Sequence, residues 1–172
     1  PEIHDRAMAE VILPTVKGMA EEGNTYTGFL YAGLMIMPDG TPKVVEFNCR
    51  FGDPEAQPIM MRLKSDLVAL CQAALNKTLD QTSIEFDEKA ALGVVLAAGG
   101  YPNTYAKGKK ISGLESDSGS AHSKIFHAGT SLQNQDVVTN GGRVLCATAL
   151  GDDVTQAQAR AYQLASQIDW ED

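Results

Sequence analysis

The sequence predicts an α+β fold in which an antiparallel sheet with helices is followed by a small β-rich domain that ends in a helix. Two observations predict it: stretches with helical spacing of apolar residues alternate with short apolar runs, and turn clusters separate those runs. A third is the polar stretch at 76–89, where the character of the sequence changes. We interpret that stretch as a linker between domains at 1–78 and 85–172.

The first half of the chain predicts helices around one hairpin. Apolar residues recur at three- and four-residue spacing through 2–22, where Pro14 is expected to kink or divide a helix. Residues 29–37 are apolar on both faces and predict a buried central strand. The turn cluster at 38–42 predicts that residues 43–50 return as its antiparallel partner. Further helices are expected at 56–61 and 66–75.

The second half predicts short strands and one last helix. The dipeptide Asn140-Gly141 lies between apolar runs and predicts a hairpin over 137–145. An amphipathic pattern predicts a helix over 153–168, and a polar stretch at 112–123 predicts a mobile surface loop. Two more strands are expected, one buried at 90–98 and one short at 125–128.

Charge and composition exclude several classes of function. The formal net charge is −8, which leaves no basic footprint for nucleic acid or an anionic membrane, so neither is an expected partner. The longest apolar runs are about half of the ~20 residues that a membrane helix needs. Three cysteines far apart in the chain favour buried free thiols and a reducing, cytoplasmic location. The chain shows no secretory signal, and its start at Pro1 suggests a piece of a longer protein.

A candidate site lies on the strand predicted at 43–50. Side chains alternate faces along a strand, so Glu46, Asn48 and Arg50 are expected to share one face. A carboxylate and an amide oxygen two residues apart are able to share a hard cation, Mg²⁺ or Mn²⁺. The fork of the arginine suits phosphate oxygens. The opposite face is expected to anchor the strand in a core through Val45, Phe47 and Cys49.

An exposed strand with polar residues on its wet face explains the same pattern, and that alternative stays open. The turn that follows strengthens the site, because Asp53 and Glu55 add two carboxylates directly after the arginine. Elsewhere, His127 is interpreted as a packed histidine. A basic cluster is interpreted as a solvated loop that could also receive an anionic substrate; it comprises Lys107, Lys109 and Lys110.

The most specific motif of the sequence is the run Arg50-Phe51-Gly52-Asp53-Pro54-Glu55 with Gln57 after it. This run resembles the signature of the phosphoribosylamine–glycine ligases, which are ATP-grasp enzymes of purine biosynthesis. Other matching segments occur in order along nearly the whole chain: Tyr31-Ala32-Gly33-Leu34-Met35, Gly99-Gly100-Tyr101-Pro102, Phe126-His127-Ala128-Gly129-Thr130 and Gly141-Gly142-Arg143-Val144-Leu145.

The resemblance implies a reaction and roles for the site residues. Glycine and phosphoribosylamine are joined with ATP as cosubstrate: the glycine carboxylate attacks the γ-phosphate, and the amine then displaces phosphate from the acyl phosphate. Glu46 and Asn48 match the metal ligands of the family. Arg50 would steady the transferred phosphoryl group as the catalytic cation, and Asp53 and Glu55 would shape the substrate pocket.

The resemblance also implies that the chain is the C-terminal half of such a ligase. Residues 1–78 would be part of the second ATP-grasp lobe, and the missing N-terminal half would be a required partner, so the isolated chain is expected to be inactive. Gly33 stands where many ATP-grasp enzymes have an acidic ligand, so the number of metal ions stays open. Two alternatives also stay open: a noncatalytic fragment or interaction module, and a ligase with a different acid and amine.

Overall fold

The computed structural model describes residues 2–117 and 120–171 and separates them into two compact units. The first unit comprises Pro1–Gly52 and Asp66–Ser83, and the second comprises Asp53–Ser65 and Ile84–Asp172. Both units combine helices with antiparallel strands, as the sequence predicts. The predicted division into domains 1–78 and 85–172 stays a prediction. Each unit is described by itself.

The first unit opens with a helical run that changes geometry before a proline. α1 (Glu2–Ala7) leads into a π-helical segment (Met8–Ile12), and α2 (Leu13–Glu21) follows with Pro14 in its first turn. Proline has no N–H, and its ring clashes with the carbonyl four residues earlier, which here belongs to Glu10 in the π-helical segment. The run stays helical from Glu2 to Glu21 and changes type just before Pro14, so the predicted kink or division at Pro14 stays a prediction.

The hairpin of the first unit pairs β1 (Tyr31–Ile36) with β2 (Pro42–Asn48), so the predicted antiparallel hairpin is confirmed. A bulge interrupts the pairing, because Gly33 pairs with Glu46 while the next residue pairs with Val44. Val45 is therefore the extra residue of β2. The unit is completed by α4 (Leu67–Leu75), whose first N–H groups are capped by the Asp66 carboxylate.

The prediction that β1 is a buried central strand is wrong, and so is the prediction that the apolar face of β2 is anchored in a core. Within residues 2–117 and 120–171 this sheet has two strands, and a two-stranded sheet buries little. Met35 and Val45 are 59% and 69% exposed, and Phe47 and Cys49 are exposed as well. The apolar pattern records what a strand is able to bury, while the neighbouring elements decide what it does bury.

The second unit is built on a three-stranded antiparallel sheet. Its helices are α3 (Ala56–Arg62) and α5 (Val154–Ala165), both close to the predicted ranges. The sheet has the order β3-β7-β4, and a separate hairpin pairs β5 with β6. The strands are β3 (Ala90–Ala97), β4 (Ser123–His127), β5 (Thr130–Gln133), β6 (Asp136–Thr139) and β7 (Arg143–Gly151).

The core of the second unit lies between β7 and α5. Val144, Leu145 and Ala147 of β7 are fully buried, as are Ala157 and Ala161 of α5. Small residues on the helix allow its backbone to approach the sheet closely, and the Asp153 carboxylate caps the first turn. The prediction of a buried strand at 90–98 is right about the strand and wrong about the extent of burial, because β3 is an edge strand and is half-buried.

The prediction of an Asn-Gly hairpin over 137–145 is wrong. β6 and β7 belong to different sheets, and the N–H groups of Asn140 and Gly141 bind the carbonyl of Gly129. The two-residue turn lies instead at Asn134-Gln135, where both φ angles are positive (49° and 73°), as a type I′ hairpin turn requires. A close approach of Gly129 and Gly141 therefore decides the chain path here.

The predicted mobile loop at 112–123 is partly ordered. Ser112 N–H donates to the carbonyl of Asp169, and Leu114–Asp117 form a 3₁₀ turn. Residues 118–119, which that prediction also covered, lie outside the described residues. None of the helices within 2–117 and 120–171 combines the length and hydropathy that a membrane crossing needs.

Candidate functional site

Glu46 and Asn48 come together on β2 as the alternation of the strand predicts. The Asn48 side-chain amide donates to Glu46 Oε1 at 2.9 Å. Glu46 is exposed and Asn48 is half-buried, so the pair lies at the surface of the first unit. The bond holds a carboxylate and an amide side by side, and it leaves Glu46 Oε2 and the single amide oxygen, Asn48 Oδ1, unused.

The opposite residue of β1 leaves room for this pair. Gly33 pairs with Glu46, and a Cβ at Gly33 would lie 3.1 Å from Glu46 Cγ. A longer acidic side chain at this position would therefore compete with Glu46 for space.

Arg50 lies beyond the strand rather than on it. β2 ends at Asn48, so the predicted strand at 43–50 is two residues too long, and alternation no longer places Arg50 on the shared face. The ring of Phe51, the next residue, packs against Phe29 with centroids 4.1 Å apart. Arg50 Nη1 donates to the carbonyl of Phe51 at 2.8 Å, and its side chain is exposed. Its proximity to a phosphate stays a prediction.

Asp53 and Glu55 belong to the second unit, at the turn before α3. Asp53 forms an ion pair with Arg143, with Oδ1 and Nη1 3.0 Å apart, and the same Nη1 donates to the carbonyl of Asp53 at 3.2 Å. Glu55 is exposed, and its carbonyl accepts the N–H of Ile59 in the first turn of α3. Whether either carboxylate contacts substrate stays a prediction.

Tyr101 completes this cluster from the other side of Arg143. Arg143 Nε donates to the Tyr101 hydroxyl at 3.2 Å. The hydrogen bond to Tyr101 and the neighbouring Asp53 carboxylate raise the pKa of the Arg143 guanidinium above its ordinary value. The ring of Tyr101 lies against Gly142, where a Cβ would come within 2.1 Å of Cδ2. Gly142 therefore has to be glycine for the ring to lie where it does.

The sequence alone missed the link between Asp53 and Arg143, which are 90 residues apart. The motif Gly141-Gly142-Arg143 was the one signal that could have drawn attention to it. A second missed feature is Gln57, whose side-chain Oε1 is buried and has no hydrogen-bond partner in the described part of the chain.

The other polar residues singled out in the sequence have ordinary structural partners. Lys109 pairs with Glu171 at 2.8 Å and Lys110 with Asp136 at 2.7 Å, while Lys107 Nζ lies 6.0 Å from the centre of the Tyr105 ring. The interpretation of His127 as a packed histidine is wrong, because it is exposed and bonded to Thr130 Oγ1 at 3.0 Å.

The three cysteines differ in how far they are buried. Cys146 is buried, and burial raises the pKa of its thiol, whereas Cys49 is exposed and Cys71 half-buried. The prediction of buried thiols is therefore right for Cys146 and wrong for Cys49.

The donors present on β2 fit a magnesium or manganese ion. They are oxygen ligands two residues apart on one strand, and Mg²⁺ usually takes one or two protein carboxylates together with substrate phosphates. Within the described residues, no group of three or more His, Cys, Asp and Glu side chains is close enough to hold a metal ion. A site made by Glu46 and Asn48 would therefore depend on ligands from substrate and water.

Two family models match the chain, one over each end. Residues 1–56 match the phosphoribosylglycinamide synthetase ATP-grasp (A) domain, and residues 91–172 match the C domain of the same synthetase. The phosphoribosylamine–glycine ligase of Vibrio cholerae serotype O1 is 69% identical over 98% of this chain, and that of Escherichia coli K12 is 62% identical over 99%. The chain spans only 39% and 40% of the length of these relatives.

Solved structures agree with the sequence relatives. The phosphoribosylamine–glycine ligase of Thermotoga maritima aligns over 99% of this chain and 41% of its own, with a TM-score of 0.85 and 35% identity. An L-amino acid ligase from Bacillus licheniformis aligns over 95% of this chain and 41% of its own, with a TM-score of 0.55 and 17% identity, which shows likeness of fold alone.

The match of residues 1–56 to an ATP-grasp domain and the likeness to the Thermotoga maritima structure place the chain in the ATP-grasp class. Within that class, the chain belongs to the phosphoribosylglycinamide synthetase family. The resemblance seen in the sequence motifs is thereby confirmed, together with the α+β fold.

Proposed function

We propose that this chain is part of an ATP-dependent ligase that joins glycine to phosphoribosylamine, with ADP and phosphate as the other products. The pairing of Glu46 with Asn48 carries the proposal, because it puts two oxygen donors side by side on the strand that the family places in its ATP-grasp domain. The names of the relatives supply the two substrates.

The proposed chemistry has two transfers. A glycine carboxylate oxygen attacks the γ-phosphorus of ATP, ADP leaves, and a glycyl phosphate forms. The amine of phosphoribosylamine then attacks the carbonyl carbon of glycyl phosphate and loses a proton, and phosphate leaves. Phosphoryl transfer depends mainly on positioning and on neutralising charge on the transferred group.

Each site residue has one proposed role. Glu46 and Asn48 would hold Mg²⁺ or Mn²⁺, which supplies positive charge beside the phosphates when bound. Arg50 would donate hydrogen bonds to the transferred phosphoryl group from its exposed fork. Asp53 and Glu55 would shape the substrate pocket.

The short span of the chain bears on where activity resides. Because the relatives are more than twice as long, we propose that turnover needs the remaining part of the enzyme and that this chain alone is inactive. A cytoplasmic location belongs to the same proposal and is supported by the exposed free thiol of Cys49.

Complementation tests the proposal directly. The part of the Vibrio cholerae ligase that this chain does not match would be mixed with the chain, or fused to it as a chimera of full length. Formation of glycinamide ribonucleotide that depends on glycine and phosphoribosylamine is expected. Stable association without product would support a noncatalytic module, and efficient use of another acid in place of glycine would remove the purine assignment.

Asn48→Leu tests the metal role, since it keeps the side-chain volume and removes the oxygen donor. In the chimera we expect Mg²⁺-dependent nucleotide affinity to fall about tenfold or more, with the thermal midpoint little changed because the side chain lies at the surface. Asn24→Leu is the matched control, since Asn24 is an exposed amide in the turn after α2. Unchanged nucleotide affinity in Asn48→Leu would contradict the assignment of Asn48 as a ligand.

A further inference from the structure

Arg143 makes three contacts in the second unit, two with Asp53 and one with Tyr101. Nη1 reaches two different acceptors of Asp53, the side-chain Oδ1 at 3.0 Å and the main-chain carbonyl at 3.2 Å. A guanidinium that binds both the side chain and the backbone of one residue fixes its conformation as well as its position. Nε is occupied on the other edge by the Tyr101 hydroxyl at 3.2 Å.

The base of this arrangement is rigid. Arg143 is the first residue of β7, and the two residues after it, Val144 and Leu145, are fully buried. Tyr101 is held against the backbone of Gly142 with no space for a Cβ. The guanidinium is therefore held by the most buried strand of the unit and by a packed ring, while Asp53 lies in a turn with its side chain 64% exposed.

Stability alone is a weak explanation for these contacts. Arg143 and Asp53 are 40% and 64% exposed, and ion pairs at such exposure add little to the free energy of folding. Positioning is a stronger one, because a displacement of about 1 Å in a group that orients substrate is able to lower a rate about a hundredfold.

We propose that Arg143 is a positioning residue, which holds the turn Asp53-Pro54-Glu55 in the conformation that presents its two carboxylates to substrate. The proposal rests on the proposed function, in which that turn shapes the substrate pocket. Arg143 acts through Asp53, and Tyr101 keeps the guanidinium aligned.

A double-mutant cycle in the full-length chimera tests it. Arg143→Met is expected to lower kcat/KM for phosphoribosylamine about 10- to 100-fold with little change in the thermal midpoint, and Arg143→Lys, which keeps the charge without the fork, should recover part of the loss. Asp53→Asn alone and combined with Arg143→Met completes the cycle, and the combined loss should be clearly smaller than the product of the two single losses, because both changes weaken the same contact. Independent, multiplicative losses, or an unchanged kcat/KM in Arg143→Met, would overturn the proposal.

Arg160→Met is the matched control. Arg160 belongs to the same unit and donates to a backbone carbonyl, that of Leu150, at 2.7 Å. Its replacement removes an arginine and a comparable bond, and kcat/KM should stay unchanged. An equal loss in Arg160→Met would show that any arginine of the unit has this effect and would contradict a positioning role for Arg143.

A second measurement does not depend on activity. Hydrogen–deuterium exchange of the peptide 55–63 should become about two- to tenfold faster in Arg143→Met, because the N–H of Ile59 is bonded to the carbonyl of Glu55 at the end of the held turn. Unchanged exchange would overturn the proposal even in an active enzyme. A parental chimera that forms no glycinamide ribonucleotide would refute the proposed function, and exchange would still decide the role of Arg143.

Discussion

The hairpin of the first unit and the central strand of the second carry similar apolar runs and bury them to opposite extents. In β2, Val45 is 69% exposed and Phe47 is 42% exposed. In β7, Val144 and Leu145 are fully buried. Both strands have antiparallel partners, so strand formation is not what separates them.

The difference lies in the neighbours of each strand. β7 has β3 on one edge and β4 on the other, and α5 packs against it. β2 has one partner strand in the part of the chain that the structure describes. An apolar strand gains stability only from the surface that other elements remove from water. The second unit should therefore depend on its strand side chains for stability, and the first unit much less.

The largest expected effect is in β7. Leu145→Ala should lower the free energy of unfolding of the second unit by about 2–5 kcal/mol, because it leaves a cavity in a packed core. Val45→Ala, on the exposed strand, should change stability by about 0.5 kcal/mol or less. Urea unfolding followed by Trp170, the single tryptophan, reports on the second unit, and circular dichroism reports on the whole chain. Equal losses in the two variants would break the comparison.

Two glycines, one in each unit, give a second comparison of stability, with smaller expected effects. A Cβ at Gly151 would lie 2.3 Å from the backbone nitrogen of Ala157, so Gly151→Ala should destabilise the second unit by about 1–3 kcal/mol through overpacking. Gly18 lies in α2 with open space around it, so Gly18→Ala should stabilise that helix by about 0.5–1 kcal/mol. Thermal unfolding of the two variants measures both signs, and a stabilising Gly151→Ala would contradict the close packing.

The smallest effect comes from surface carboxylates. The pKa of Asp87 is lowered mainly because its carboxylate accepts a hydrogen bond from the N–H of Lys89. Nearby cations, including Lys64, lower it further by a smaller amount. A group with a lowered folded pKa contributes stability above its unfolded pKa of about 4 and loses it as the pH falls through the lower folded value. Asp87→Asn should therefore make urea midpoints less sensitive to acid below about pH 4.

Lys64→Met is the control for this pH dependence. It should retain most of the acid sensitivity, because the N–H of Lys89 is the largest cause of the shift. An acid sensitivity in Asp87→Asn that equals that of the parent protein would contradict the assignment.

Local rules carried much of the sequence prediction. Helical spacing located α3, α4 and α5, and turn chemistry located the β1–β2 hairpin. Alternation along a strand brought Glu46 and Asn48 together, and the hydrogen bond between them confirms that part.

Long-range packing decided what the sequence did not predict. The prediction that the apolar face of β2 is buried failed, because burial depends on which elements cover the strand. The Asn-Gly turn failed because the contact of Gly141 with Gly129 outweighs local turn preference. The partnership of Asp53 with Arg143 joins residues that no local pattern links.

That last partnership has a consequence for protein synthesis. Asp53 leaves the ribosome 90 residues ahead of Arg143, and at about 5–20 residues per second the interval is about 5–20 s. Throughout that time the nascent turn lacks its anchor, which arrives only at the start of β7. The pocket that we assign to substrate would thus be among the last parts of the chain to mature.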